Sequence, residues 1–213
     1  MNVGIIYARG RGSSLKQKNI YPLNGTPMLA HFIGEMLRAE CVDHIAVWTE
    51  CAEVARVAGE SGAVVLDRPR EMVHYESGFS EATSWGKVVT DLLEKTFGHL
   101  DYCMNFNCNY VLFRAQTLDD MMQRLQADKD LGFIYAVSPV RDGIYVENHV
   151  THNPMPLFPL LPGLVRRMGI SISEVNTGAS GRTHHEVSWE EGRDVQHADD
   201  IPFAEYVLRT RGR

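Results

Sequence analysis

Val3-Gly4-Ile5-Ile6-Tyr7-Ala8 runs directly into Arg9-Gly10-Arg11-Gly12-Ser13-Ser14-Leu15-Lys16-Gln17-Lys18-Asn19. The first stretch is apolar without alternation, the pattern of a strand buried on both faces in a parallel sheet. The second is polar and glycine-bearing, and it carries Arg9, Arg11, Lys16 and Lys18. Glycines let backbone N–H groups come close to phosphate oxygens. A guanidinium such as that of Arg9 forks onto phosphate, and an ammonium such as that of Lys18 acts as a point charge. The string is not a P-loop, because G-x-x-x-x-G-K-[ST] is absent, and G-x-G-x-x-G fails after Gly12. Read alone, the same composition also serves a basic loop that merely turns the chain.

Outward from this loop, strand and helix patterns alternate to about residue 138. Strands are expected at 3–8, 44–49, 63–66, 101–106 and 132–138, and helices at 27–39, 51–60, 81–96 and 116–126, the last opened by Thr117. Residues 67–80 read as irregular. Such alternation predicts a three-layer α/β domain with a mostly parallel sheet and helices on both faces. Ligands in that architecture sit beyond the carboxyl ends of the strands, where the loop at 9–19 lies. Residues 139–168 break the pattern and hold Pro139, Pro154, Pro156, Pro159 and Pro162. They read as an excursion from a single domain spanning 1–213: a lid, a hairpin or a dimer arm. A strand follows at 169–175 and a helix at 199–210.

The totals exclude several classes. The chain has 213 residues, 44% apolar and 23% charged, which suits one globular domain with its own core. A net charge of −6 and a pI of about 5.8 argue against nucleic acid as a partner, so an anionic ligand must be held by local cations. No apolar run approaches the ~20 residues of a membrane helix. No basic segment followed by an apolar stretch opens the chain, so no signal peptide is expected. Cys41, Cys51, Cys103 and Cys108 form no C-x-x-C pair and suit free thiols in a cytoplasmic protein.

The loop resembles the opening motif of the N-acylneuraminate cytidylyltransferase (CMP-sialic acid synthetase) family and, more distantly, of CMP-KDO synthetase. That motif runs roughly A-R-G-G-S-K-G-L-P-G-K-N. Arg9, Gly10, Leu15, Lys18 and Asn19 match it in register, and Ile20, Pro22, Leu23, Gly25 and Pro27 continue the likeness. Ser13 replaces the motif's middle lysine. A second block, residues 45–72, keeps Thr49, Glu53, Val54, Ala55, Val57, Ala58, Gly62, Ala63, Val65, Arg68, Pro69 and Glu71 in register, with Glu50 in place of an Asp. At 107–113 the family's base-pocket motif is only partly kept: Asn107 stands for its Gln and Phe113 for its Arg. Asn105, Asn107 and Asn109 equally suit the capping of a strand end. Near the tail, Asp194 is kept from a metal-holding Asp pair whose second member is Gln196 here.

The resemblance implies a nucleotidyltransferase, Rossmann-like in fold, with a short dimerisation excursion and a homodimeric assembly. It implies cytidylyl transfer from CTP, or another nucleoside triphosphate, to an acidic nine-carbon sugar of the sialic or legionaminic type, with Mg²⁺ as cofactor. Arg9 and Lys18 would act on the phosphates in catalysis. Ala8, Gly10, Gly12, Ser13, Asn19, Arg68 and Asn107 would complete the nucleotide site, and Asp194 would hold the metal. Asn109, Gln196 and Arg166 would meet the sugar, with Arg167, Arg182, His184 and His185 as further cations in reach. Two other readings stand beside this one. They are a sugar-phosphate nucleotidyltransferase using another base such as GTP, and a non-catalytic relative that binds nucleotide or sugar. Asp199 and Asp200 are read as favouring the start of the last helix.

Overall fold

The computed structural model describes residues 1–10, 15–69, 85–139, 145–147, 154–156 and 165–211. In chain order the elements are β1 (Asn2–Tyr7), the hairpin strands β2 (Pro22–Leu23) and β3 (Thr26–Pro27), α1 (Met28–Met36), β4 (His44–Thr49), α2 (Ala52–Glu60), β5 (Val64–Asp67), α3 (Trp85–Phe97), β6 (Tyr102–Phe106), α4 (Ala115–Gln126), β7 (Leu131–Pro139), β8 (Tyr145–Glu147), β9 (Pro154–Pro156), β10 (Val165–Glu174), β11 (Gly181–Glu186) and α5 (Ile201–Arg211). Short 3-10 turns at Lys18–Ile20 and Ala198–Asp200 precede β2 and α5.

β1 lies inside a seven-stranded sheet ordered β11-β7-β10-β6-β1-β4-β5. It pairs in parallel with β4 on one side, Ile5 opposite Ala46, and with β6 on the other, Ile5 opposite Asn105. β5 joins β4 and β11 joins β7 in parallel, while β10 runs antiparallel to both its neighbours. The expected mostly parallel sheet is therefore present. The chain leaves β1 towards β4 and later returns to β1's other side as β6, so strand order reverses at the β1–β6 crevice. A ligand cleft is expected at such a switch point.

Both faces of the sheet are covered, which is why β1 is apolar throughout. Val3 and Ile5 point to one face and pack with Ala46, Trp48 and the α3 residues Val89 and Leu93. Ile6 faces the other way, among Leu29, Phe32 and Ile33 of α1, Val54 of α2 and Leu118 and Met121 of α4. Side chains of this size, fully buried, contribute about 1.5–3 kcal/mol each relative to exposure. Gly4 shares that second face because Phe106 occupies the space: a Cβ there would lie 2.2 Å from Phe106 Cε2. A third cluster packs α5 (Ala204, Val207) on Leu23, Met28, Val111, Leu112 and Val195.

Three departures from the sequence reading have physical causes. The strand expected at 169–175 begins at Val165 and ends at Glu174, so 165–168 belong to the sheet and not to the excursion. Val165 and Arg167 pair with Pro139 and Val137, and the arginines there disguised the strand. β11 was not foreseen; Arg182, His184 and Glu186 alternate outwards from it, as suits a polar edge strand. Thr117 does not open α4, which starts at Ala115. Carboxylates from distant elements replace a local cap: Arg114 N–H donates to Glu191 Oε1 at 3.2 Å and Ala115 N–H to Glu35 Oε1 at 3.0 Å. Within 139–168 the described residues beyond the sheet are β8 and β9, an antiparallel pair. The reading of the rest as a lid or dimer arm falls outside the described residues. No described helix is long and apolar enough to cross a membrane.

Candidate active site

Three segments meet at the carboxyl ends of β1, β6 and β11. The first follows β1. Asn19 Nδ2 donates to the Arg9 carbonyl at 2.7 Å, closing the loop between the two ends of its motif. The second follows β6, where Cys108 Sγ donates to Asn19 Oδ1 at 3.3 Å. Burial pushes the Cys108 thiol up to about 12, with the Lys18 charge pulling it back only in part. It therefore serves as a donor and not as a thiolate nucleophile at neutral pH. The third segment follows β11, and its Val195 N–H donates to the Asn109 carbonyl at 2.8 Å.

A chain of side chains crosses the place where they meet. Lys18 Nζ donates to Gln196 Oε1 at 2.7 Å, Gln196 Nε2 donates to Asp194 Oδ2 at 3.0 Å, and Asn109 Nδ2 donates to the same oxygen at 3.4 Å. Asn109 is 1% exposed and its Oδ1 has no hydrogen-bond partner among the described residues. The cluster thus offers one cation, one carboxylate and amide oxygens, half-buried beside the β1 loop. Among the described residues no three His, Cys, Asp or Glu side chains converge as a metal site. A Mg²⁺ ion typically takes only one or two protein carboxylates and completes its shell with phosphates and water. Asp194 fits that requirement.

The other expected site residues divide. Ala8 is fully buried and gives its N–H to Trp48 O at 3.2 Å, so it extends β1 and offers no donor to phosphate. Gly10 N–H donates to Glu50 Oε1 at 2.9 Å. Its backbone lies so close to Cys51 that a Cβ would stand 2.7 Å from Cys51 Cβ. Gly12 and Ser13 lie outside the described residues. Arg68 is 1% exposed, with its guanidinium carbon 5.1 Å from the Trp48 ring centroid and its N–H bonded to Thr49 O. It is a buried cation stacked on an aromatic face. Asn107 is exposed beside the cluster, whereas Phe113 is fully buried in the core. The position of the family's arginine thus serves packing here.

Arg166 pairs with Ser138 in the sheet, and its side chain lies outside the description. Its neighbour Arg167 lies 4.7 Å from the Tyr135 ring centroid, and Arg182 lies 5.5 Å from that of Phe133. Neither forms an ion pair among the described residues. His184 stands on the same side, 6.1 Å from Tyr135, whereas His185 points to the other. Asp200 accepts from Gln196 N–H at 2.9 Å and His197 N–H at 2.8 Å, so it caps the turn before α5 as its position implied. Sequence reasoning missed the tasks of Glu50, Cys108 and Glu191. Glu50 had a signal, as a carboxylate kept after β4; the others had none.

The fold and this cluster at the β1–β6 switch point define a nucleotidyltransferase-type α/β protein. The chain belongs to the cytidylyltransferase family, whose pattern matches residues 3–128. It is 25% identical over 139 residues to the 3-deoxy-manno-octulosonate cytidylyltransferase of Zea mays, covering 65% of this chain and 43% of that one. To the protein of the same name from Syntrophobacter fumaroxidans it is 29% identical over 128 residues, covering 60% and 47%. The matched stretch spans less than half the length of these relatives. Among solved structures, a CMP:2-keto-3-deoxy-manno-octonic acid synthetase complexed with CTP aligns with a TM-score of 0.69 at 16% identity, covering 99% of this chain and 100% of that one. A 4-diphosphocytidyl-2C-methyl-D-erythritol synthase aligns at 0.70 and 14%, covering 97% of each. At these identities the structures establish the fold alone.

Proposed function

We propose that this protein transfers CMP from CTP to an acidic 2-keto-3-deoxy sugar, with release of pyrophosphate. The sugar's anomeric oxygen attacks the α-phosphorus, the bond to the β-phosphate bridge breaks, and the hydroxyl proton is lost to solvent or a nearby base. The observation that carries the reading is the chain Lys18–Gln196–Asp194–Asn109 at the switch point of a cytidylyltransferase-family sheet. Phosphoryl transfer of this kind depends on positioning and charge neutralisation. Lys18 and Arg9 supply positive charge at the phosphates. Asp194 would hold Mg²⁺, which when bound neutralises phosphate oxygens. Asn107 and Arg68 border the nucleotide.

The likeness of the 9–27 and 45–72 segments favours a nine-carbon acceptor of the sialic or legionaminic type. The two relatives compared above carry the octulosonate name. Arg167, stacked on the Tyr135 ring with no carboxylate partner among the described residues, suits the acceptor's carboxylate. The proposed setting is a cytoplasmic homodimer, in which the four free thiols stay reduced.

The test is pyrophosphate release from each of the four ribonucleoside triphosphates, with Mg²⁺ and either a sialic, a legionaminic or an octulosonic acid. Turnover confined to CTP and one of these acids is expected. Preference for GTP would give the base to another nucleotidyltransferase class. A folded protein that binds CTP but turns over none of the acids would be the non-catalytic relative.

A further inference from the structure

Glu191 is a buried carboxylate away from the reacting groups. It is 7% exposed. Its Oε1 accepts from Thr117 Oγ1 at 2.5 Å and from Arg114 N–H at 3.2 Å, and its Oε2 accepts from Ser188 Oγ at 3.0 Å. Its own N–H returns to Ser188 Oγ at 3.2 Å. These donors are neutral, and no Arg, Lys or His pairs with it among the described residues. Burying a carboxylate costs several kcal/mol unless its lone pairs are met. Here three donors meet them, and those donors come from two separate stretches of chain.

Those two stretches are the ones that carry the site. Arg114 precedes α4 and Thr117 lies in its first turn, directly after the segment holding Asn107 and Asn109. Ser188 and Glu191 lie in the segment that leads from β11 to Asp194 and Gln196. The segments touch again at Val195 N–H and the Asn109 carbonyl, 2.8 Å apart, and at Asn109 Nδ2 and Asp194 Oδ2, 3.4 Å apart. The first of these contacts is a single backbone bond and the second is long. Neither fixes the spacing of the segments without a stronger tie behind it. Glu190, next in sequence, adds an outer tie by accepting from Arg211 Nε at 3.2 Å.

We infer that Glu191 is a positioning residue for the transfer reaction: its carboxylate clamps the start of α4 to the β11 exit segment and so sets Asp194 and Gln196 against Asn109 and Lys18. This rests on the function proposed above for the same site. The clamp acts through Asp194 and Gln196, and the carboxylate itself touches no substrate.

The experiment compares Glu191→Ala, Glu191→Gln and Thr117→Val with the unaltered full chain, each first checked for a cooperative thermal transition. Two readouts are taken well below that transition: hydrogen exchange at the Val195 amide, and turnover with CTP split into KM and kcat. Glu191→Ala is expected to speed Val195 exchange at least tenfold while central-sheet amides of β1 keep their rates. A misplacement of about 1 Å costs about 10²-fold in rate, so kcat should fall by that order with the KM for CTP unchanged. Glu191→Gln keeps a carbonyl for Thr117 and Arg114 and an amide that can donate to Ser188, and should restore most of both. Thr117→Val should give an intermediate loss in a folded protein. Equal exchange acceleration in β1 and Val195, or a Gln variant no better than Ala, would reduce Glu191 to general stabilisation and overturn the inference. If the unaltered protein turns over no sugar acid, the proposed function falls. The exchange pattern still decides on the clamp.

Discussion

Lys18 Nζ reaches across 178 residues of sequence to Gln196 Oε1, 2.7 Å away, and Gln196 passes the contact on to Asp194. A cation and a carboxylate are thereby spaced by a neutral amide. Had residue 196 been a carboxylate, it would have paired with Lys18 directly and drawn the ammonium away from any phosphate. The amide holds the lysine by one hydrogen bond, and a charge-assisted bond of this kind contributes about 1.5–3 kcal/mol.

The consequence is a graded response of triphosphate binding. Lys18→Ala should weaken CTP binding by about 10–100-fold, the loss of one charge-assisted hydrogen bond to phosphate. Gln196→Glu should weaken it too, because the new carboxylate competes with phosphate for Lys18, whereas Gln196→Ala should leave CTP affinity close to the original. Calorimetric titration of CTP into the three variants measures this. Unchanged affinity in Lys18→Ala would remove the lysine from the phosphate site.

Gly4 sits in the middle of β1, where a residue with a side chain would be expected on propensity alone. The ring of Phe106 fills its place, itself packed edge-on against Phe32 with centroids 5.6 Å apart. Gly4→Ala should therefore destabilise the fold by about 1–3 kcal/mol, the usual cost of overpacking. Gly4→Ala combined with Phe106→Leu should lose less than the sum of the two single changes, because the shorter side chain gives way. Denaturant unfolding of the four proteins reads the coupling. Strict additivity would mean that the two residues do not compete for space.

The sheet was legible because its signals are local. The unbroken apolar runs of β1 and β4 announce burial on both faces, and α1 shows its buried Met28, Leu29, Phe32, Ile33 and Met36 at helical spacing. β11 was not legible, since its exposed Arg182, His184 and Glu186 give a polar edge no hydrophobic pattern. In the site, Lys18, Asn19 and Asp194 could be chosen from motif register. What they bond to could not. Cys108 and Glu191 act through partners 89 and 74 residues away, a relation that no spacing in the chain encodes. At position 113 the motif's arginine has given way to a phenylalanine that the core has claimed, and Ala8 is buried where β1 meets β4.

His185, on β11, connects acidity to stability. Burial holds its pKa below the usual 6.5, with the nearby Arg124 charge acting in the same direction and Asp120 and Glu191 pulling it back in part. The folded state therefore favours the neutral imidazole. Once pH falls below about 6.5, the ordinary histidine value, the unfolded chain takes up a proton that the folded one resists. The contribution is fully present above that value. It is lost as pH falls through the window between the unfolded pKa and the lower folded one. Thermal midpoints should thus drop more steeply across this window for the unaltered protein than for His185→Gln, which cannot titrate there. Parallel curves would mean that the imidazole is as free to protonate in the fold as outside it. A steeper fall in the Gln variant would reverse the sign of the argument.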